Sequence, residues 1–387
     1  MSAQGSEKPP EKTSAKTASQ QLLERAAPAR AEWEDLVIVP IFAVIVALAL
    51  GALVMLATNV DLPTIGRSYI ALLVGSVGSL NAISETLTAA SPLILAALGL
   101  GIGFRAGLFN IGAEGQLLMG GLAAVLVGFL GAGLPFFIHL PLALLAGAIA
   151  GGLYASIAGW LRVATGAHEV ISTIMLNLIS YRFLDYVLRL DWVQLPGRAD
   201  PISQSVAVSA ELPRLLVWID PNLRVHAGIF LAFAAVWFVY WLLFRTTWGF
   251  EFRASGENPD AARFAGMRSG LIIIMVMALA GALAGLGGAN QTLGVLGRAT
   301  PGFSAGLGFD AIAVALLGRS HPFGILAAGL LFGALEAGGR QMQVDAGVSI
   351  DLIAIIQALI IVFIAAPLLV RAIFPWGFAS KKKAAQL

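Results

Sequence analysis

The chain has 387 residues, 58% of them hydrophobic and only 12% charged, with a mean hydropathy of +0.86. An average soluble domain is about 25% charged, and no soluble globule hides this much apolar surface, so lipid is the solvent for most of the chain. The net charge of +2 leaves no basic face for nucleic acid, and the absence of cysteine excludes thiol catalysis, disulfides and thiolate metal sites.

Residues 1–35 are polar and mixed in charge, with Ser6, Glu7, Lys8, Pro9 and Pro10 near the start, which predicts a disordered cytosolic arm. The first apolar run begins only at Leu36, too far in for a cleaved secretory leader, so it reads as a retained span. Runs of about 17 to 25 apolar residues are long enough to cross a bilayer. That rule places spans at 36–57, 89–104, 111–130, 136–161, 170–188, 226–244, 270–290, 309–317, 323–337 and 352–370. The reading is an all-α polytopic membrane protein of about ten transmembrane helices, with a membrane domain over 36–371 and a basic cytosolic tail over 372–387. The eighth and ninth spans are short and broken by Gly318, Ser320 and Pro322.

Arginine and lysine set the orientation. With both termini in the cytosol, most of the 24 basic residues fall on that side: the first arm, Arg105, Arg162, Arg245, Arg253, Arg263, Arg268, Arg319, Arg371 and the terminal lysines. All six lysines (Lys8, Lys12, Lys16, Lys381, Lys382 and Lys383) lie in the two tails. A phosphate-cradling G-x-x-x-x-G-K-[ST] loop needs a lysine inside the folded body, so any nucleotide hydrolysis belongs to another chain. H-E-x-x-H and G-x-S-x-G are absent as well, and the chain reads as non-catalytic.

Gly147 and Gly151, Gly281 and Gly285, and Gly329 and Gly333 are each four apart, the spacing of closely packed helices in lipid. Two glycine-rich stretches, 99–121 and 294–318, each join two apolar segments and suggest two pseudo-repeated halves. Broken helices at corresponding places in two halves point to a transport pathway. Glu169, Thr173 and Asn177 recur every four residues, with Ser172 and Ser180 beside them, and so share one helix face. They either line a wet cavity or bond neighbouring helices. Asn110 and Glu114 are also four apart, with a capping role for Asn110 as the rival to pathway contact. Asp310 heads the short eighth span, where a carboxylate suits the positive end of a helix. Phe303 and Phe309 flank it, able to stack on a planar ring or simply to pack. Asn290 and Gln291 end the seventh span and are expected in the same vestibule. The four histidines, His139, His168, His226 and His321, lack metal-like spacing and are expected at interfaces, so no metal site is assigned.

Segment 246–269 is the largest polar loop on the predicted cytosolic side. Gly256, Asn258 and Pro259 form turns, and Asp260 opens a short helix with Ala261, Ala262, Ala265 and Gly266. Such a helix seats in a groove on a partner, and an ordinary connecting loop is the rival reading.

The run G-E-N-P-D-A-A-R-F-A-G-M at 256–267 resembles the coupling loop of ATP-driven (ABC) importer permeases of the branched-chain amino acid, ribose and nucleoside family. A-H-E-V-I-S-T-I-M-L-N at 167–177, F-R-A-G-L-F-N-I-G-A-E-G-Q at 104–116 and F-D-A-I-A-V-A-L-L-G at 309–318 look most like the nucleoside or simple-sugar branch. The resemblance runs from about Leu36 onward, and the arm before it has no counterpart. It implies a type II ABC importer fold and a permease subunit translocating nucleosides, or simple sugars, delivered by an external binding protein. Its implied partners are a second homologous permease in a heterodimer, a tandem ATPase that holds the ATP and Mg, and a periplasmic or lipid-anchored receptor, all at the bacterial inner membrane. Glu257, Asn258, Ala261, Ala262 and Gly266 would form the coupling surface by the same resemblance. An ion-coupled secondary transporter of a small polar solute is the alternative, since Glu114, Glu169, Asp310 and Glu336 offer buried acids for coupling.

Overall fold

The computed structural model describes residues 39–349 and 351–365, so the 1–35 arm and the 372–387 tail lie outside the described residues. The described chain is helical: α1 (Val39–Ala57), α2 (Leu62–Val77), α3 (Leu80–Arg105), α4 (Ala113–Leu130), α5 (Phe136–Thr165), α6 (Glu169–Leu188), α7 (Gly228–Arg245), α8 (Thr247–Glu257), α9 (Pro259–Phe264), α10 (Ser269–Gln291), α11 (Leu307–Leu317), α12 (Pro322–Ala346) and α13 (Asp351–Ala365). Seven of these are long and apolar enough to cross a membrane: α3 to α7, α10 with its π-helical extension Thr292–Leu296, and α12. The chain is an all-α polytopic membrane protein, and within the described residues each of the ten expected spans falls on a helix.

α12 runs on to Ala346, nine residues past the expected end at 337, and two further departures from the sequence expectation lie between 57 and 89. No element was expected between 57 and 89, yet α2 forms there. Asp61 caps it by accepting from the Thr64 amide at 3.4 Å, and Pro63 sits in its first turn. Likewise α3 starts at Leu80, nine residues before the expected 89, capped by the Ser79 hydroxyl accepting from the Ala82 amide at 3.0 Å. Asn81, Ser84, Glu85, Thr86 and Thr88 depress the hydropathy of this turn-rich start. The side chains of Ser84, Glu85, Thr86 and Thr88 are bonded by protein. Thr86 donates to the Ser76 carbonyl at 2.7 Å, and Ser84 accepts from the Arg224 and Val225 amides at 2.9 and 2.8 Å.

Without water to squeeze out, helices in lipid associate by close van der Waals packing. α10 is the hub, packed against α5, α4 and α3, and α12 covers α3 on the other side. Two expected glycine pairs interlock on one seam: Gly147 and Gly151 of α5 face Gly281 and Gly285 of α10. A Cβ at Gly151 would stand 2.8 Å from the Gly285 Cα and 3.0 Å from its amide nitrogen. Gly151→Ala therefore pries the hub open. We expect it to cost about 1–3 kcal/mol, as overpacking does, read as a lower melting temperature of the detergent-solubilised protein.

One end of the bundle is basic. Arg105, Arg162 and Arg245 lie in the last turns of α3, α5 and α7. Arg105 and Arg253 stand over the Phe244 ring at 5.7 and 5.2 Å. α8 and α9 lie at this end. The opposite end is closed by segment 189–227, whose backbone pairs with the exit of α10 through Ser203 to Ala299, Val206 to Gly297 and Leu212 to Leu293.

Candidate functional site

The two glycine-rich breaks expected at 99–121 and 294–318 meet each other in the middle of the bundle. Between α3 and α4 the chain leaves helical geometry, and its amides need partners at membrane depth. The face of α6 supplies them. Phe109 donates to Glu169 at 3.3 Å, Ile111 to Thr173 at 3.3 Å and Gly115 to Asn177 at 2.9 Å, while the Asn177 amide returns a bond to the Ile111 carbonyl at 2.9 Å. Asn110 accepts from Gly112 at 2.8 Å and exchanges bonds with Gln116 at 3.0 Å. Arg162 of α5 pairs with Glu169, tying a third helix to the clamp. Thr173, Asn177, Glu169, Asn110 and Glu114 are all buried.

Glu114 joins the two breaks. Its carboxylate accepts from the Ser304 hydroxyl, from the Gly308 amide at 2.8 Å and from the Tyr181 hydroxyl at 2.9 Å. Gly308 lies in the first turn of α11, so a carboxylate of α4 caps the positive end of a half-length helix from the other half of the chain. A side chain at 308 would collide with the Glu114 backbone, which is why glycine stands there.

Beside this junction lies a cavity of about 80 Å³ between α3, α10, α11 and α12. Gln291, Asp310 and Glu336 give it polar walls, and Pro92, in the body of α3, and Leu307 apolar ones. From Glu336 a line of charges runs to the end opposite α8: Arg340 lies 3.9 Å from Glu336 and 3.7 Å from Glu85, and Arg224 lies 3.3 Å from Glu85.

At the basic end, α8 and α9 form a short arm. Thr246 caps α8 by accepting from Gly249 at 3.1 Å, and Asn258 caps α9 by accepting from Ala261 at 3.0 Å. Thus α9 begins at Pro259 with Asn258 as its cap, one residue before the expected start at Asp260. Phe252 is fully buried, and a Cβ at Gly256 would stand 2.9 Å from the Gly107 amide nitrogen, so the base of the arm rests on the turn between α3 and α4. The tip is bare: Glu257, Asn258, Ala261 and Gly266 are exposed, and the Phe264 ring is 94% exposed.

The family model for the permease component of branched-chain amino acid transport systems matches residues 82–365. The chain belongs to this family. Among relatives of this permease, the guanosine ABC transporter permease protein NupP of Bacillus subtilis is 39% identical over 90% of this chain and 97% of its own length. The glucose ABC transporter permease protein TsgB13 of Haloferax volcanii is also 39% identical, over 84% of this chain and 86% of its own length. A second Bacillus subtilis relative, the guanosine ABC transporter permease protein NupQ, is 29% identical over 66% of this chain and 80% of its own length. No solved structure matches. The chain is thus the non-catalytic membrane component of an ABC importer, and not an ion-coupled carrier.

Within the permease, the residues singled out from sequence divide into three groups. Asn110, Glu114, Glu169, Thr173 and Asn177 bond helices and turns to one another. Of the vestibule set, Gln291 and Asp310 line the cavity. Asn290 instead accepts from Ser91 and donates to the Gly228 carbonyl, each at 3.2 Å. Phe303 is buried against Gly121, and Phe309 is 45% exposed, away from the cavity wall. On the arm, Ala262 is turned inward and 3% exposed, whereas Glu257, Asn258, Ala261 and Gly266, the other residues expected to couple, face out. Glu336 was singled out from sequence only as a buried acid for ion coupling, not as a wall of this cavity, and Phe264 was assigned no role. A helical wheel of α12 with Asp310 as partner, and a lone aromatic in a run of small residues, were the signals available.

Proposed function

We propose that this permease passes nucleosides, or failing those simple sugars, across the bacterial inner membrane, with the 36–371 region as the permease domain. The observation that carries the reading is the chamber of Gln291, Asp310 and Glu336 at the meeting of the two breaks. Carboxylates and a carboxamide accept and donate to the hydroxyls of a ribose or hexose, charge-assisted bonds being the stronger kind. The names of the relatives, guanosine and glucose permeases, agree with hydroxyl-rich cargo. Its volume has room for about three water molecules, too little for a nucleoside, so cargo moves only when α11 and α12 part.

The arm α8–α9, with Glu257, Asn258, Ala261, Gly266 and Phe264, docks on a tandem ATPase that carries ATP and Mg. Contact runs from Gly256 to Gly107, through the α6 clamp to Glu114, and from Glu114 to α11 and Asp310, a contiguous route for coupling. The basic end is cytosolic by the positive-inside rule, which puts both termini there. Segment 189–227 then faces a periplasmic or lipid-anchored receptor. The guanosine names of two different Bacillus subtilis relatives support a heterodimer with a second permease.

The test is uptake by the importer reconstituted with its ATPase and receptor. Asp310→Asn combined with Glu336→Gln should lower nucleoside uptake at least tenfold while receptor-stimulated ATP hydrolysis persists. Unchanged uptake removes the chamber from the pathway. Uptake driven by an ion gradient without any ATPase would overturn the importer reading itself.

A further inference from the structure

α3 and α12 hold a second cavity besides the chamber. Ala89 and Pro92 of α3 and Glu336 of α12 wall the chamber. Further from the arm the same two helices wall a cavity of about 270 Å³, with Asn81 and Glu85 on one side and Arg340 and Gln341 on the other. α2 closes a third side at Gly75. Glu85 stands four residues before Ala89, and Arg340 four after Glu336, so the two cavities follow one another along one face of each helix. The second cavity therefore lies toward segment 189–227, whose Arg224 reaches Glu85 at 3.3 Å.

Arg340 is the partition between the cavities. Its guanidinium lies 3.7 Å from Glu85 in the outer wall and 3.9 Å from Glu336 in the chamber wall. Both distances exceed hydrogen-bond reach. The Nε of Arg340 is buried and has no hydrogen-bond partner among the described residues. A buried donor without an acceptor is costly, and a ligand oxygen relieves that cost. Arg340 is thus loosely held by both acids and has donor capacity to spare.

Charge and size select the occupant. Glu85 and Arg340 cancel within the outer cavity, which favours a neutral solute over an anion or a cation. Asn81 and Gln341 add carboxamides, groups that both donate and accept. The volume equals that of about nine water molecules, the bulk of one sugar ring, with no room for a nucleobase beside it. Val344, which also lines the cavity, is 78% exposed, so the cavity opens at that rim.

We infer that the outer cavity is a second binding site, which takes the neutral, hydroxyl-rich ring of the cargo before it enters the chamber. Arg340 donates to the ring hydroxyls and Glu85 accepts from them, bonds strengthened by the charge on the protein partner. A ring that draws Arg340 to itself also draws it away from Glu336 and so clears the outer wall of the chamber. The inference rests on the nucleoside or sugar cargo proposed above.

The experiment is saturation-transfer NMR of D-ribose with the full chain in lipid nanodiscs, without ATPase or receptor. The wild type should bind ribose, with leucine, a zwitterion, and ribose 5-phosphate, an anion, each at least tenfold weaker. Arg340→Gln should weaken ribose binding at least tenfold, the loss of a hydrogen bond from a charged donor. Val344→Phe narrows the exposed rim and keeps Arg340. It should weaken ribose binding about fivefold, and it guards against misfolding of the first variant. Absence of ribose binding by the wild type overturns the site, as does leucine or ribose 5-phosphate binding as tightly as ribose. Ribose binding unchanged in both variants overturns it too. Uptake by the reconstituted importer separates this inference from the cargo reading. Nucleoside uptake without ribose binding keeps the cargo and removes the site, whereas ribose binding without uptake of any nucleoside or sugar keeps the site and removes the cargo.

Discussion

Replacing Glu114 by alanine should abolish transport and lower the melting temperature more than any other single polar change in the chain. The carboxylate is fully buried and has no cationic partner within salt-bridge distance among the described residues, a costly state unless its oxygens are satisfied. It is satisfied three times, by Ser304, Gly308 and Tyr181, and by the positive end of α11. Each hydrogen bond to a charged group contributes about 1.5–3 kcal/mol. Alanine leaves two hydroxyls and an amide without an acceptor in a dry interior, so a loss of about 3–5 kcal/mol is expected after partial relaxation. Glu114→Gln separates charge from shape. Its carboxamide oxygen still accepts from Ser304 and Tyr181, but its NH2 group faces the Gly308 N–H and the helix end loses its counter-charge. Thermal unfolding of Glu114→Gln should fall between wild type and Glu114→Ala. Uptake should follow the same order, because α11 carries Asp310 into the chamber only while its first turn is held. If Glu114→Ala unfolds like the wild type and transports normally, the junction between the two breaks carries neither stability nor coupling.

The membrane class, the positions of the spans and the glycine seam were legible because each rests on a pattern local to the chain: long apolar runs, or small residues four apart. The polar face of α6 was legible as a face but not as a clamp. Period four puts Glu169, Thr173 and Asn177 on one side of a helix, and only the path of 106–112 past that side decides what they bond. Glu114 shows the same limit more sharply. Its four-residue spacing from Asn110 suggested contact with the pathway, yet its partners are Tyr181, Ser304 and Gly308, 67, 190 and 194 residues away. The start of α3 was missed because hydropathy treats buried, hydrogen-bonded Ser84 and Thr86 as if they were solvated. Ala262 and Phe264 sit two residues apart on α9, and only the docking of the helix on its neighbours shows that the small one turns in and the large one out.

That inversion leads to the second large effect. Phe264→Ala should leave the permease folded and inserted but uncouple it from its motor. A phenyl ring 94% exposed contributes almost nothing to the fold, so the change in stability should stay within about 0.5 kcal/mol. A bare aromatic ring on a rigid, capped helix is the kind of side chain that anchors an interface when a partner's pocket takes it. Loss of an anchor worth about 2 kcal/mol weakens docking about thirtyfold. Both receptor-stimulated ATP hydrolysis and uptake should fall accordingly, while the amount of permease in the membrane is unchanged. Ala262→Glu is the contrast. Its carboxylate would be driven into a buried position beside the Met267 amide, which donates to the Ala262 carbonyl at 3.1 Å, so it should lower the melting temperature as well as transport. A permease with Phe264→Ala that still stimulates its ATPase at wild-type concentrations would remove Phe264 as the anchor of the arm.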